Sequence, residues 1–205
     1  MIAAWYQKNG EARDVIKYGE MATPSPGAGE VLVRLKTSGV NPSDVKSRRA
    51  RPLSAPLIVP HSDGAGVIEA LGDGVDNALL GERAWIWNGQ WIRAFGTAAE
   101  FIALPADQAV RLPEGVEFNA GACMGIPALT ALHAVKLHGE IAGKTLLITG
   151  AAASVGYYAV QMAKAGGAYI IGTASSTRSE HAFDAGCDAV IDYRSEDVAS
   201  RVKEL

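Results

Sequence analysis

The sequence is poor in cysteine: Cys123 and Cys187 are the only two in 205 residues, and no Cys-x-x-Cys pair is present. This scarcity argues against a disulfide framework and against a thiolate metal site, and it favours a reducing cytoplasmic compartment. The first eight residues also lack the basic segment and apolar stretch of a secretory signal. The most apolar region, residues 120–135, is interrupted by Gly125 and Pro127 and is too short to span a bilayer.

Strong charge of either sign is missing as well. The formal net charge is -3, and lysine and arginine are scattered apart from a short cluster at residues 46–51. The chain therefore has no basic field for nucleic acid or for an anionic membrane. We expect its partners to be small molecules or copies of itself.

Residues 1–112 have the pattern of a β module. From Val31 to Thr37, every second residue is apolar or small, and Arg34 and Lys36 lie between them, which predicts a half-buried strand. Further strands are predicted at residues 67–70, 83–87 and 100–104. Their spacing is typical of a small barrel or sandwich.

After Pro113 the pattern changes to α/β. Residues 119–137 are rich in alanine and leucine and predict a helix that breaks or kinks at Pro127. Residues 145–149 form a continuous apolar run, typical of a parallel strand covered on both faces. In the next stretch Val155, Ala159, Met162 and Ala163 recur at helical spacing and predict one apolar face against a sheet.

The alternation continues towards the end of the chain. A strand is predicted at residues 168–173, a short helix at Ser179–Ala185 closed by Gly186, and a third strand at residues 189–193. This β-α-β-α-β order is the first half of a doubly wound dinucleotide-binding fold. The sequence stops at Leu205, shortly into another predicted helix, so we expect the natural protein to be longer.

A glycine- and alanine-rich turn joins the first of these strands to its helix. Small residues in such a turn let backbone N–H groups and the positive end of the helix approach a pyrophosphate. The middle glycine of the G-x-G-x-x-G pattern is replaced by Ala153, so the motif alone is weak evidence. The alternative is a turn of small residues that serves only to pack the helix on the strand, and the surrounding βαβ unit favours dinucleotide binding. The predicted cofactor-binding residues of the turn are Gly150, Ala152, Ala153, Ser154, Val155 and Gly156.

The next strand end indicates NADPH in preference to NADH. NAD-selective folds place an acid there for the ribose hydroxyls, and no acid occurs between Gly156 and Glu180. Hydroxyl groups and a guanidinium suited to the adenosine 2′-phosphate follow instead. The predicted residues are Thr173, Ser175, Ser176 and Arg178. A polar loop that only caps the next helix is the alternative.

Five segments in a fixed order resemble one family. They are Ser-Gly-Val-Asn-Pro-Ser-Asp at 38–44, Val-Pro-His-Ser-Asp-Gly-Ala-Gly-Val-Ile-Glu-Ala-Leu-Gly at 59–72, Gly-Thr-Ala-Ala-Glu-Phe at 96–101, Gly-Ile-Pro-Ala-Leu-Thr-Ala at 125–131, and the phosphate turn. Together they resemble the zeta-crystallin and quinone oxidoreductase branch of the medium-chain dehydrogenase/reductase superfamily.

The resemblance implies a GroES-like β-barrel catalytic domain at residues 1–118 and the first, incomplete half of a Rossmann NADPH-binding domain at residues 119–205. It implies that Asn41 and Thr130 lie near the nicotinamide and that Tyr193 lies beside the 2′-phosphate. It also implies a cytoplasmic quinone reductase that acts as a homodimer at full length.

The resemblance also implies that zinc is absent. Related alcohol dehydrogenases hold a catalytic zinc through Cys, His and Cys, and those positions correspond here to Asn41, Ser62 and Ile126. His61 is displaced by one residue, so we interpret it as a hydrogen-bonded structural or pocket histidine.

The expected chemistry needs little activation, because a quinone is strongly electrophilic and its reduced product is a stabilised phenolate. Asn41 and Thr130 are therefore assigned orienting roles. For Lys46 a solvated surface position is favoured over a charge at the pocket, and for Asp44 a bond to the backbone over a proton relay. One or more of Trp85, Trp87 and Trp91 could stack on a flat substrate, although core packing is the commoner role.

Two other functions remain open at this point. Similar zinc-free relatives reduce activated carbon–carbon double bonds of alkenals and enones with the same cofactor. A protein that binds NADPH without catalysis is the second alternative, since the missing half of the nucleotide fold normally completes the nicotinamide pocket.

Overall fold

The computed structural model describes residues 1–137 and 139–205. The chain divides into two compact units, Met1–Ile126 and Pro127–Leu205. In the described part of the chain, every helix is too short or too polar to cross a bilayer. The division of the domains at residues 118 and 119 stays a prediction.

The first unit is built on antiparallel strands. Strands β1 (Ile2–Trp5) and β2 (Lys17–Glu20) form a two-stranded sheet. A second sheet has the strand order β6-β3-β4-β5-β7. Its strands are β3 (Glu30–Gly39), β4 (Asp63–Leu71), β5 (Arg83–Ile86), β6 (Phe101–Pro105) and β7 (Ala109–Arg111). The helices of this unit are α1 (Ala12–Val15), α2 (Pro42–Ala50) and α3 (Phe118–Gly121).

The predicted half-buried strand is β3, which lies between β4 and β6. Val31 and Val33 are fully buried, and Arg34 and Lys36 are exposed, as the alternation predicts. Leu32, on the opposite face, is also buried. The core of this sheet is formed by Val31, Val33, Ile68, Ala84, Ile86, Ile102, Leu104 and Ala109.

The strand pairing does not confirm that this sheet closes into the predicted barrel. Strands β6 and β7 lie at its two ends. Among the described residues β6 pairs with β3 and β7 pairs with β5, and no ladder joins β6 to β7. The predicted strands 67–70, 83–87 and 100–104 are all present as β4, β5 and β6, and β4 starts four residues earlier than predicted, at Asp63.

The second unit has a parallel sheet with the order β10-β9-β8. Its strands are β8 (Thr145–Ile148), β9 (Tyr169–Ala174) and β10 (Ala189–Asp192). Its helices are α4 (Leu129–Lys136), α5 (Ser154–Ala165), α6 (Ser179–Ala185) and α7 (Val198–Glu204). The β8-α5-β9-α6-β10 order confirms the first half of a doubly wound fold, in which parallel strands follow one another outward.

Two details of this unit were predicted wrongly. Leu147 on β8 is 44% exposed, because Leu146 and Ile148 pack against the core of this unit and Leu147 lies on the opposite face of the strand. On α5 the buried face contains Val160, which is fully buried, whereas Val155 is 37% exposed. Val155 lies in the first turn of α5, where it lines an open cavity beside β8.

The predicted break at Pro127 is confirmed. A π-helical turn, Met124–Ala128, contains Pro127 and separates α3 from α4. Proline lacks a backbone N–H and its ring crowds the preceding turn, so a regular helix cannot pass through it. Helix α6 ends at Gly186, which has a φ of 114°, a conformation that favours glycine.

Candidate active site and cofactor turn

The turn between β8 and α5 is shaped by two glycines. Gly150 has a φ of 66°, in the left-handed region that side chains disfavour. A Cβ on Gly156 would lie 2.7 Å from the carbonyl carbon of Gly150 and 3.0 Å from Cα of Ala151. Both positions therefore need glycine for the turn to close. Ala153 adopts an extended conformation that any residue can take, so its methyl group does not strain the backbone.

Thr173 on the neighbouring strand β9 holds this turn in place. Its hydroxyl accepts a hydrogen bond from the backbone N–H of Gly150 at 3.0 Å, and its carbonyl accepts one from Ala151 at 3.0 Å. Thr173 is buried, so its contribution to a bound nucleotide would act through the turn. Ala152 is also buried and belongs to the core beneath the turn.

The first turn of α5 presents free donors to solvent. The initial N–H groups of any helix have no partner within the helix. Here the N-cap is Ala153, whose side chain cannot accept a hydrogen bond. Residues 153–155 are exposed. The twelve-residue helix therefore offers backbone amides and the positive end of its dipole to an anion.

A second polar cluster lies at the carboxyl ends of β9 and β10. Ser176 and Arg178 are exposed, whereas Ser175 is buried and its hydroxyl lies 3.2 Å from that of Thr177. Tyr193 follows β10 and is 52% exposed. Because parallel strands end at the same edge of a sheet, these residues share that edge with the phosphate turn.

The sequence interpretation missed two residues in this cluster. Asp192 accepts the backbone N–H of Ser176 at 3.1 Å, so that amide is already engaged. Arg194 places its guanidinium 5.8 Å from the ring centre of Tyr193, which adds a second cation at this edge. The signal was present in the sequence, since both residues flank Tyr193 directly.

In the first unit, Asn41 is buried and stands immediately before helix α2 as its N-cap. The backbone N–H of Asn41 donates to the Asp44 carboxylate at 2.7 Å, so Asp44 makes the backbone bond that was predicted. Lys46 is exposed, as expected. Thr130 lies on α4 of the other unit and is exposed. Its place near a nicotinamide stays a prediction.

The side chain of Asn41 is bound to Asp63, the first residue of β4. Asn41 Nδ2 donates to Asp63 Oδ2 at 2.8 Å. The backbone N–H of Ile126 donates to both carboxylate oxygens of Asp63, at 2.9 and 3.0 Å. Burial raises the pKa of Asp63 to about 6, against the lowering effect of these hydrogen bonds. Asp63 was not selected from the sequence, although an acid directly before the small and apolar run of residues 64–68 is an unusual feature.

A chain of hydrogen bonds runs from His61 to the backbone of Asp63. Thr97 Oγ1 donates to the carbonyl of Asp63 at 2.6 Å, Ser38 Oγ lies 2.9 Å from Thr97 Oγ1, and His61 Nδ1 lies 3.0 Å from Ser38 Oγ. Burial lowers the pKa of His61, so its neutral form is favoured. The prediction of a hydrogen-bonded histidine is confirmed.

The three positions that hold zinc in related dehydrogenases do not fit that ion here. Asn41 and Ile126 both direct N–H groups towards Asp63, and Ser62 supplies a hydroxyl. Zinc needs lone-pair donors such as thiolate or imidazole, and N–H groups cannot provide them. Among residues 1–137 and 139–205, no three His, Cys, Asp or Glu side chains converge as a metal site would require.

The first unit also contains a cavity of about 200 Å³ beside the loop that precedes β6. Trp91 lines it and is 55% exposed, and Ile92 is 87% exposed. Trp85 and Trp87 are half-buried, and Trp87 Nε1 donates to the carbonyl of Asp107 at 3.1 Å. Trp91 is the most exposed of the three tryptophans, and stacking on a flat molecule requires an accessible ring.

Comparison with known proteins gives matches along most of the chain. Residues 27–114 match the alcohol dehydrogenase GroES-like domain, and residues 154–205 match the zinc-binding dehydrogenase family. The chain is 35% identical over 191 residues to a quinone oxidoreductase of Homo sapiens, covering 90% of this chain and 56% of that protein. It is 30% identical over 210 residues to a chloroplastic quinone-oxidoreductase homolog of Spinacia oleracea, covering 98% and 63%.

A solved structure agrees with these matches. The Escherichia coli quinone oxidoreductase complexed with NADPH superposes with a TM-score of 0.85 at 28% identity, covering all of this chain and 62% of that one. The chain thus spans about three-fifths of the length of the proteins it matches. It belongs to the medium-chain dehydrogenase/reductase superfamily, in the branch of zeta-crystallin and the quinone oxidoreductases.

Proposed function

We propose that the protein, at its natural length, is an NADPH-dependent quinone reductase that transfers hydride to a quinone or a similar electrophilic acceptor without zinc. The observation behind this proposal is the β8–α5 turn, where Gly150, Gly156 and Thr173 leave backbone amides facing solvent at the N-terminus of a long helix. Such amides bind the pyrophosphate of a dinucleotide.

The preference for NADPH is supported by the edge formed by β9 and β10. Arg178 and Ser176 are exposed there, and Tyr193 and Arg194 directly follow the adjoining strand β10. Two guanidinium groups at one edge suit a phosphate dianion, which each can bind through paired N–H donors. The quinone oxidoreductase of Escherichia coli, solved with NADPH, supports the same cofactor.

The chain contributes positioning to the chemistry. When bound, NADPH supplies a hydride, and a quinone that takes up this hydride and one proton becomes a hydroquinone. Asn41 and Thr130 are proposed to orient the reacting groups, and the exposed ring of Trp91 offers a flat apolar surface to the acceptor. A strongly electrophilic acceptor needs no Lewis acid, in accord with the donor set around Asp63.

The test compares NADPH with NADH oxidation by the protein at its natural length, with 1,4-benzoquinone as acceptor and with or without EDTA. We expect turnover with NADPH, a kcat/KM at least about tenfold lower with NADH, and no effect of EDTA. Loss of activity in EDTA that zinc restores would refute the metal-free mechanism. Turnover of alkenals alone would favour double-bond reduction, and tight NADPH binding with no turnover would favour a non-catalytic role.

Two broader features belong to the same proposal. A cytoplasmic location is supported by the two unpaired cysteines, Cys123 and Cys187. A homodimer is supported by the family resemblance, and light scattering on the protein at its natural length measures it directly.

A further inference from the structure

Three distant parts of the first unit meet at Asp63. Asn41 comes from the start of helix α2, the N–H of Ile126 comes from the π-helical turn, and Thr97 comes from the segment before β6. Asp63 is 1% exposed and Asn41 is 8% exposed. Asn41 and Ile126 stand at two of the three positions where related dehydrogenases have zinc ligands. The Asp63 carboxylate accepts a hydrogen bond from each of them.

The hydrogen bonds fix the orientation of the Asn41 carboxamide. An ionised carboxylate can only accept hydrogen bonds, so the amide end that faces it must be the NH₂ group. Oδ1 of Asn41 is then turned away from Asp63. A protonated Asp63 has an O–H to donate, and it would allow the opposite orientation of the amide.

We propose that Asp63 is a positioning residue that replaces the organising role of the metal, holding the Asn41 amide in one orientation and the Ile126 backbone beside it. This proposal rests on the proposed function, in which Asn41 orients the reacting groups. It assigns to Asp63 no contact with substrate or cofactor.

The charges around Asp63 are compatible with this role at neutral pH. Its raised pKa, about 6, leaves most of the carboxylate ionised at pH 7. The neighbouring charge that acts on it is that of Asp44 on α2, which raises the pKa further. Burial also raises the pKa of Asp44, so this repulsion weakens as the pH falls.

The kinetic test uses Asp63→Asn, Asn41→Ala and the double variant, with Asp73→Asn as an exposed control. We expect each single variant to lower kcat about tenfold or more while KM for NADPH changes less than about twofold. The double variant should lose no more than the worse single variant, because both act through one group. The wild-type kcat should decrease as the pH is lowered through about 6, and the kcat of Asp63→Asn should not show this decrease. Additive losses, or a wild-type kcat in Asp63→Asn, would overturn the proposal.

A second measurement is independent of activity and of any variant that fails to fold. In isotope-labelled wild-type protein, NMR follows the Asp63 carboxyl carbon and the Asn41 side-chain amide from pH 4.5 to 8. We expect both signals to titrate with one midpoint, and an Asn41 amide that ignores the Asp63 titration would refute the coupling. If the protein oxidises no NADPH but both signals titrate together, the proposed function fails and the positioning of Asn41 stands.

Discussion

Gly125 leaves the space that the Asp63 carboxylate occupies: a Cβ at Gly125 would lie 2.8 Å from Cγ of Asp63 and would overlap Oδ1. The carbonyl oxygen of Ile86 would be a further close contact, at 3.0 Å. The absence of a side chain at residue 125 thus allows the N–H of Ile126 to reach the carboxylate.

Gly125→Ala is expected to displace Asp63 and to destabilise the fold. We expect the free energy of unfolding to fall by about 1–3 kcal/mol, the usual cost of forcing extra volume into a packed site. Urea denaturation measures this change. Gly19→Ala is the matched control, because its Cβ would meet only the Trp5 ring at 3.5 Å, an ordinary contact. Equal effects of the two substitutions would contradict the close approach.

The pKa of Asp63 predicts a specific dependence of stability on pH. The pKa is raised in the folded protein, from 3.8 to about 6, so the folded state binds the proton more tightly than the unfolded state. The contribution of Asp63 to stability is therefore greatest below about pH 4 and is lost as the pH rises to about 6. The full loss is at most roughly 3 kcal/mol, since one pKa unit corresponds to about 1.4 kcal/mol.

The measurement is the difference in unfolding free energy between wild type and Asp63→Asn across pH 4 to 7. Subtracting the unfolding free energy of the variant removes the contribution of other titrating groups, of which Asp44 is the nearest. The wild type should lose stability relative to the variant over this range and then run parallel to it. A difference that is constant with pH would mean that the buried carboxyl has an ordinary pKa.

The features of the fold that could be predicted from the sequence are those formed by residues close together along the chain. Residues 145–193 contain their strand and helix patterns in sequence, so the βαβαβ unit and the turn at Gly150 were identified directly. Asp63 could not be identified in this way, because Asn41, Asp63 and Ile126 are separated by 22 and 63 residues. They meet only through the pairing of β3 with β4 and the irregular turn around Pro127, and neither register nor turn geometry follows from composition.

The exposure of β8 has a related cause. An apolar run such as residues 145–149 indicates burial but does not identify which element covers each face. In the described chain β9 pairs with one edge of β8 and α5 packs on one face, which leaves Leu147 partly exposed. The coverage of a strand depends on its neighbours in space, and these are not encoded within the strand itself.

The phosphate turn gives a paired prediction at two small residues. Gly156→Ala should weaken NADPH binding by about tenfold or more, since its Cβ would push the α5 start away from Gly150. Ala153→Gly is the control, because Ala153 is already relaxed and exposed. Its NADPH affinity should stay within about threefold of wild type. Fluorescence titration with NADPH measures both affinities. Equal affinities of the two variants would mean that NADPH does not bind at this turn.

The choice of coenzyme is expected to depend on Arg178. A guanidinium bound to phosphate contributes about 1.5–3 kcal/mol, so Arg178→Ala should raise KM for NADPH by about ten- to a hundredfold and leave KM for NADH within about twofold. Arg194→Ala, which removes the second cation at this edge, should have a smaller effect in the same direction because its guanidinium lies over the Tyr193 ring. Arg13→Ala on α1 of the other unit is the control for general loss of charge. If Arg178→Ala raised KM equally for both coenzymes, the 2′-phosphate could not be the group that Arg178 binds, since NADH lacks it.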